Sequence, residues 1–172
     1  MSEGPSALVL IGPMGAGKTS IGRRVARALH RRFYDSDIAI VRAHGPIEDI
    51  FAEHGEEHFR ALEREAVREG LATGGVVSVG GGAVLDPLTR SALAAHRVVL
   101  LTVEPRVVSG RIRDSARPLL REGDSLARWT EIMNARRPLY DELADATFDT
   151  SSGPLQDVVE AIVTWTRTDE KK

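Results

Sequence analysis

The chain has 172 residues, a formal net charge of −2 and no cysteine. That length suits one domain burying roughly two thirds of its unfolded surface, and the missing thiols exclude a disulfide frame, a thiolate metal site and a cysteine nucleophile. The charge carries no nucleic-acid footprint, and the apolar run in "MSEGPSALVLIG" is too short for a signal core or a membrane span, so the expectation is a soluble cytoplasmic protein that meets neither nucleic acid nor membrane; a monomer is expected.

In chain order, Ala7–Ile11 reads as a buried strand and Lys18–Leu29 as the helix after it. Arg32–Tyr34 is a short second strand, followed by helical stretches at about Ile38–Ala43, Ile47–Glu53 and Glu56–Ala72. Val76–Val79 is a third strand, ended by Gly80-Gly81-Gly82; Leu88–His96 is helical and Val98–Val103 a fourth strand. Arg106–Arg113 is helical. The polar segment Asp114–Ser125, punctuated by Pro118 and Gly123, reads as a mobile loop. Leu126–Leu143 is helical, Ala146–Asp149 a last strand and Leu155–Trp165 a closing helix. Strands that are apolar throughout and alternate with helices predict an α/β fold with a parallel sheet covered on both faces. No repeat or linker divides the chain, and the segment between the second and third strands reads as an inserted helical lobe.

Gly12-Pro13-Met14-Gly15-Ala16-Gly17-Lys18-Thr19 matches G-x-x-x-x-G-K-[ST], with a strand before it and an amphipathic helix after it. In that context, glycines let backbone N–H groups wrap a phosphate, and the helix N-terminus adds its dipole. A plain glycine-rich turn is the alternative. The chain has 20 arginines and three lysines; Lys18 is the only lysine outside the last two residues. A compact ammonium enters a closed phosphate loop where a planar guanidinium fork does not, which explains the choice. The Thr19 hydroxyl is the expected Mg²⁺ ligand. The only asparagine, Asn134, is followed by alanine, and the only glutamine, Gln156, lies in the last helix. An N-K-x-D guanine loop and a water-orienting glutamine are therefore both missing, and ATP is the expected donor.

Three further clusters fall where a parallel sheet places its ligands, near strand C-terminal ends. In Asp35-Ser36-Asp37, one carboxylate can hold Mg²⁺ and the other can meet an acceptor hydroxyl as base or positioner; capping the next helix is the alternative, with Asp37 just ahead of Ile38. Gly80-Gly81-Gly82 lets a ligand approach backbone closely, or is simply a turn. Arg60, Arg117 and Arg136 offer bidentate forks to an anionic acceptor, although Arg60 could merely pair with Glu63 and the other two could be solvated. His54 and His58 stand at i,i+4, but Gly55 between them disfavours a continuous helix, no third ligand is evident, and zinc is not expected.

Taken in order, "GPMGAGKT", "DSD", "IEDIFAEHGEEHFRALE", "GGGAV", "RPLL" and "RRPLY" resemble the shikimate kinase family, over about Ala7 to Pro154. The resemblance implies a P-loop NTPase of adenylate-kinase-like fold: a five-stranded parallel sheet flanked by helices, in one kinase domain over residues 1–172 with a substrate-binding lobe at about 35–63 and a lid at about 114–125. It implies transfer of the ATP γ-phosphate to the 3-hydroxyl of shikimate, with Mg²⁺, in aromatic amino acid biosynthesis. Met14, Gly15, Ala16, Gly17, Lys18, Thr19 and Ser20 resemble the nucleotide loop. Thr19 and Asp35 resemble the Mg²⁺ side, Asp35 acting through water, and Asp37 the residue on the shikimate hydroxyls and the base. Arg60 and Arg136 resemble the pair on the shikimate carboxylate, Glu63 the residue orienting arginine, Phe51 and Phe59 the apolar wall, and Gly81 with Gly82 the backbone beside the substrate. Arg117 resembles the lid arginine on the transferred phosphate, Arg111 the arginine against adenine and Pro154 the adenine packing. The stretch between Arg111 and Arg117 is a residue shorter than in some members, which leaves Arg111 and Arg113 both open for the adenine. Thr150-Ser151-Ser152-Gly153 stands where some relatives carry another ATP-contacting arginine. Two alternatives are a kinase of another hydroxy acid such as gluconate and a nucleotide-dependent regulatory module without turnover; the set Asp37, Arg60 and Arg136 argues against the module.

Lys18→Arg keeps the charge but not the shape, and should lower kcat at least about a hundredfold, the order expected for losing a preorganised contact at the transferred group. Steady-state ADP release measures this, and a near-normal kcat would contradict the steric argument.

Overall fold

A computed structural model describes residues 6–112 and 125–170. The apolar run Leu8–Ile11 forms β1, buried at every residue. A strand with no polar face belongs in the middle of a sheet covered on both sides, and that is where β1 lies. The five strands are ordered β2-β3-β1-β4-β5 and all pair in parallel, with β2 Phe33–Asp35, β3 Val76–Ser78, β4 Arg97–Thr102 and β5 Ala146–Asp149. The register sets Asp35 beside Ser78 and Ser78 beside Leu10. The loops that leave β1, β2 and β3 therefore start side by side at the C-terminal ends of the strands, where the chain's direction of travel reverses around β1.

Seven described helices flank the sheet: α1 Lys18–Leu29, α2 Ser36–His44, α3 Ile47–Ala72, α4 Pro87–Leu93, α5 Pro105–Ile112, α6 Ser125–Leu143 and α7 Leu155–Glu170. Helix α1 buries Ile21, Gly22, Val25 and Ala26, the one-sided stripe of a helix lying on a sheet. The main core joins the strands to these helical stripes, with Tyr140 of α6 among its largest fully buried side chains. A second, smaller cluster sits between α2 and α3, where Ile40, Ile50, Phe59 and Ala66 are buried and Ile47, Phe51 and Leu62 pack against them. This insertion between β2 and β3 thus carries its own apolar centre.

The sequence reading and the structure differ mainly at element ends. The break expected near Gly55 is present: α3 is two helical stretches meeting at Gly55, whose φ of 84° and ψ of 173° are non-helical. Helix α2 begins at Ser36, two residues earlier than expected, because the Asp35 carboxylate accepts the Ile38 N–H at 3.0 Å. The cap is therefore Asp35 and not Asp37, which leaves Asp37 in the first turn of α2. Helix α4 ends at Leu93 rather than His96. The loop expected at 114–125 lies outside the described residues up to Ser125, which opens α6.

Candidate active site

The glycine loop leaves β1 and runs into α1. Lys18, the first residue of α1, turns back over it and donates to the carbonyls of Gly12 at 2.7 Å and Pro13 at 3.1 Å. One ammonium thereby meets two carbonyls of the same tight turn, a geometry suited to a point donor with three protons. Thr19 beside it donates its hydroxyl to Asp35 Oδ2 at 2.7 Å, while Asp35 Oδ1 caps α2. Both carboxylate oxygens of Asp35 are thus tied, and this fixes the hydroxyl–carboxylate pair at the mouth of the loop. Hard oxygen donors of this kind fit Mg²⁺, which keeps most of its waters and needs no all-protein cage. No group of three or more His, Cys, Asp or Glu side chains able to hold a metal is gathered among the described residues; the rings of His54 and His58 stack at 4.7 Å.

The second half of the site is built on Gly80-Gly81-Gly82. A β-carbon on Gly80 would lie 2.8 Å from Asp37 Oδ1 and 2.9 Å from Glu63 Oε2; one on Gly82 would lie 2.6 Å from the Arg60 guanidinium. Only glycine lets these charged groups close over the turn. One on Gly81 would lie 3.4 Å from Arg136 Nη1 and 3.5 Å from the Gly12 carbonyl oxygen, so Gly81 is where the phosphate loop and the arginine pocket meet. Buried Ser36 accepts the Gly80 N–H at 3.2 Å, and the Tyr140 hydroxyl donates to the Gly81 carbonyl at 2.6 Å. Burial pushes the Tyr140 phenol up to about 12, so it remains a donor at neutral pH.

Arg60 binds Glu63 at 2.7 Å and Glu56 at 3.4 Å, and its guanidinium carbon lies 5.3 Å from the centre of the Phe59 ring. The i,i+3 pairing and the pocket position are thus the same arrangement. Its Nε is buried with no hydrogen-bond partner among the described residues, a donor that an incoming anion could use. Phe51 and Phe59 stack at 4.8 Å. Arg136 is only 7% exposed. Burial pushes the Glu63 carboxyl from 4.5 up to about 7, aided by the Asp37 carboxylate and opposed by Arg60 and Arg136.

One cleft of about 960 Å³ is lined by both halves, from Met14, Gly15, Gly17, Lys18, Thr19 and Ser20 to Asp35, Asp37, Phe51, Phe59, Arg60, Glu63, Gly81, Gly82, Arg111 and Arg136. Ala16 is fully buried and does not line the cleft. Pro154 is exposed just ahead of α7 and does not line the cleft. Arg113 and Arg117 lie outside the described residues. Sequence reasoning passed over Ser36, Tyr140, Trp129 and Thr150. Tyr140 could have been found: it stands four residues after Arg136, on the same helix face.

A strand, glycine loop and helix at the C-terminal end of a parallel sheet, opening on an arginine-lined pocket, define a P-loop phosphotransferase. The model of the shikimate kinase family matches residues 14–167. A shikimate kinase of Thermobifida fusca is 48% identical over 165 residues, covering 94% of this chain and 95% of that protein. One from Rhodococcus jostii is 42% identical over 160 residues, covering 90% and 94%. The solved structure of the Acinetobacter baumannii shikimate kinase in complex with shikimate is 34% identical, with a TM-score of 0.92 over 99% of this chain and 97% of that one. A gluconokinase from Sinorhizobium meliloti shares the fold at 22% identity and a TM-score of 0.63, covering 97% of this chain and 95% of that one. The chain belongs to the shikimate kinase family, with that family's adenylate-kinase-like P-loop fold.

The raised Glu63 carboxyl makes a stability prediction. A carboxyl that titrates higher folded than unfolded keeps its proton longer in the native state, so its contribution is full below pH 4.5, is lost as pH rises towards 7, and is flat above that. The unfolding free energy of the native chain minus that of Glu63→Gln, from urea titrations at pH 5, 6, 7 and 8, should fall between pH 5 and 7 and then level off. A difference that stays flat from pH 5 to 8 would mean that the Arg60 ion pair outweighs burial and that the carboxyl titrates below 4.5 in the folded chain.

Proposed function

We propose that this chain transfers the γ-phosphoryl group of ATP to the 3-hydroxyl of shikimate, giving shikimate 3-phosphate and ADP. The reading rests most on the meeting of the two halves of the cleft at Gly81, which sets the phosphate loop against a pocket of two arginines. In this reading the N–H groups of the loop and the Lys18 ammonium hold the donor phosphates. Arg60 and Arg136 grip the substrate carboxylate, and Phe51 and Phe59 pack against its ring. Asp37 accepts the proton of the 3-hydroxyl as that oxygen bonds to the γ-phosphorus and the bond to the β-phosphate oxygen breaks. Thr19, directly, and Asp35, through water, would hold Mg²⁺, which supplies charge neutralisation on the phosphates when bound. Arg117 is assigned to the transferred phosphoryl group and Arg111 to the nucleotide.

Gluconate is the second acceptor considered, and the gluconokinase likeness supports the fold alone. The proposal is tested by ADP release with shikimate, gluconate and other hydroxy acids, run in parallel with Arg136→Ala. Release should depend on shikimate, and Arg136→Ala should weaken shikimate binding by about 2–5 kcal/mol, the order for a buried charge pair losing one partner, with ATP affinity little changed. Release that depends on gluconate instead, or on no acceptor, would contradict the function. A loss of ATP affinity without loss of shikimate affinity would contradict the assignment of Arg136.

A further inference from the structure

Three successive carbonyls of the phosphate loop receive side-chain donors from other elements of the fold. The Trp129 indole N–H, on α6, donates to Met14 O at 2.8 Å. Arg111, on α5, donates to Gly15 O at 2.7 Å. The Thr150 hydroxyl, just after β5, donates to Ala16 O at 2.8 Å, the nearer of two carbonyls it faces; Thr102 O is 3.1 Å away. Arg111 also ties itself to Thr150, donating to its carbonyl at 2.9 Å and its hydroxyl at 3.3 Å. The donors come from 96 to 134 residues further along the chain, so the tertiary fold and not the local sequence brings them here. Trp129 is 4% exposed and Thr150 1%, and the Thr150–Ala16 bond is buried, out of water, where a hydrogen bond is stronger.

No described peptide bond is cis. In a trans peptide the carbonyl and the following N–H point in opposite directions. Turning the carbonyls of Met14, Gly15 and Ala16 outward therefore turns the N–H groups of Gly15, Ala16 and Gly17 into the loop. The Ala16 N–H also closes the turn towards Pro13 O at 3.3 Å. Gly15 and Gly17 stand at φ of 83° and 92°. The freedom that lets glycine take those angles also lets its peptide planes rotate away from them. A loop this free needs an outside restraint to present its N–H groups in one orientation.

We infer that Trp129, Thr150 and Arg111 are positioning residues that preset the N–H groups of the phosphate loop by holding its carbonyls. The inference rests on reading the loop as a phosphate cradle. It gives Thr150, in the stretch where some relatives carry an arginine, a task on the nucleotide side that needs no contact with the nucleotide. It also gives Arg111 a task independent of any adenine contact.

The test titrates inorganic tripolyphosphate, which has phosphates and no adenine, into the full chain by calorimetry. Trp129→Phe keeps an aromatic ring without the N–H, Thr150→Val keeps the shape without the hydroxyl, and Thr150→Ser keeps the hydroxyl. All three leave the charge unchanged. Trp129→Phe and Thr150→Val should each weaken tripolyphosphate about tenfold, the scale of one buried hydrogen bond. Thr150→Ser should restore most of the affinity, and shikimate affinity should be unchanged throughout. Wild-type tripolyphosphate affinity in both Trp129→Phe and Thr150→Val would overturn the inference and leave the cradle intact, and so would a parallel loss of shikimate affinity, which marks general unfolding. Failure of the unaltered chain to bind tripolyphosphate would overturn the cradle reading and the inference together.

Discussion

The site depends on the parallel register of β1, β2 and β3. Leu10, Ser78 and Asp35 lie abreast, so three loops with different chemistry leave the sheet at one place. The first carries Lys18 and the loop N–H groups, the second Asp35 and Asp37, and the third Gly80-Gly81-Gly82. A slip of one residue in β2 would turn Asp35 to the opposite face and break its bond to Thr19, which lies on another element. Phe33, lying against Gly22, and Tyr34, lying against Gly70 and donating its hydroxyl to the Ala66 carbonyl at 2.7 Å, resist that slip. Stability of the core and accuracy of the site therefore have the same cause.

Electrostatics divides the cleft into two unequal halves. The phosphate half uses backbone dipoles, one ammonium and a helix N-terminus. The pocket half uses two guanidiniums, Arg60 and Arg136, offset by Glu63 and Asp37. Both arginines are largely removed from water, with a side-chain exposure of 15% for Arg60 and a residue exposure of 7% for Arg136, so a matching anion meets them with little solvent left to displace. The glycines of the third loop let Arg60, Asp37 and Glu63 press against backbone, which keeps the pocket narrow. Ser36, Tyr140, Trp129 and Thr150 act one layer further out, fixing the peptide planes against which a ligand would lie.

Much of this was legible in the sequence, because the informative signals were local. The glycine–lysine loop, the acidic pair after β2 and the three glycines after β3 each sit within a few residues of a strand end, and β1, β3 and β4 read directly as apolar runs. The break at Gly55 followed from one residue's backbone preference. What could not be read came from contacts across long stretches of chain. Asp35 and not Asp37 caps α2, a choice made by which carboxylate reaches the Ile38 N–H. Trp129 and Thr150 reach the phosphate loop only after the sheet has brought β5 and α6 to it, and no spacing rule links residues so far apart. Arg60 and Glu63 could be paired from their i,i+3 spacing, but the near-neutral titration of Glu63 depends on burial and on Asp37 arriving from another helix.

The central claim is that an acid held by Arg60 and Arg136 presents its hydroxyl to the phosphate loop across Gly81. The most direct measurement is a crystal structure of the chain with ADP and shikimate bound together. The account predicts the shikimate carboxylate within about 3.2 Å of both guanidiniums, the hydrogen-bond limit, with the 3-hydroxyl on Asp37 and turned towards the end of the ADP phosphates. A carboxylate held elsewhere, or a 3-hydroxyl turned away from the phosphate loop, would contradict it.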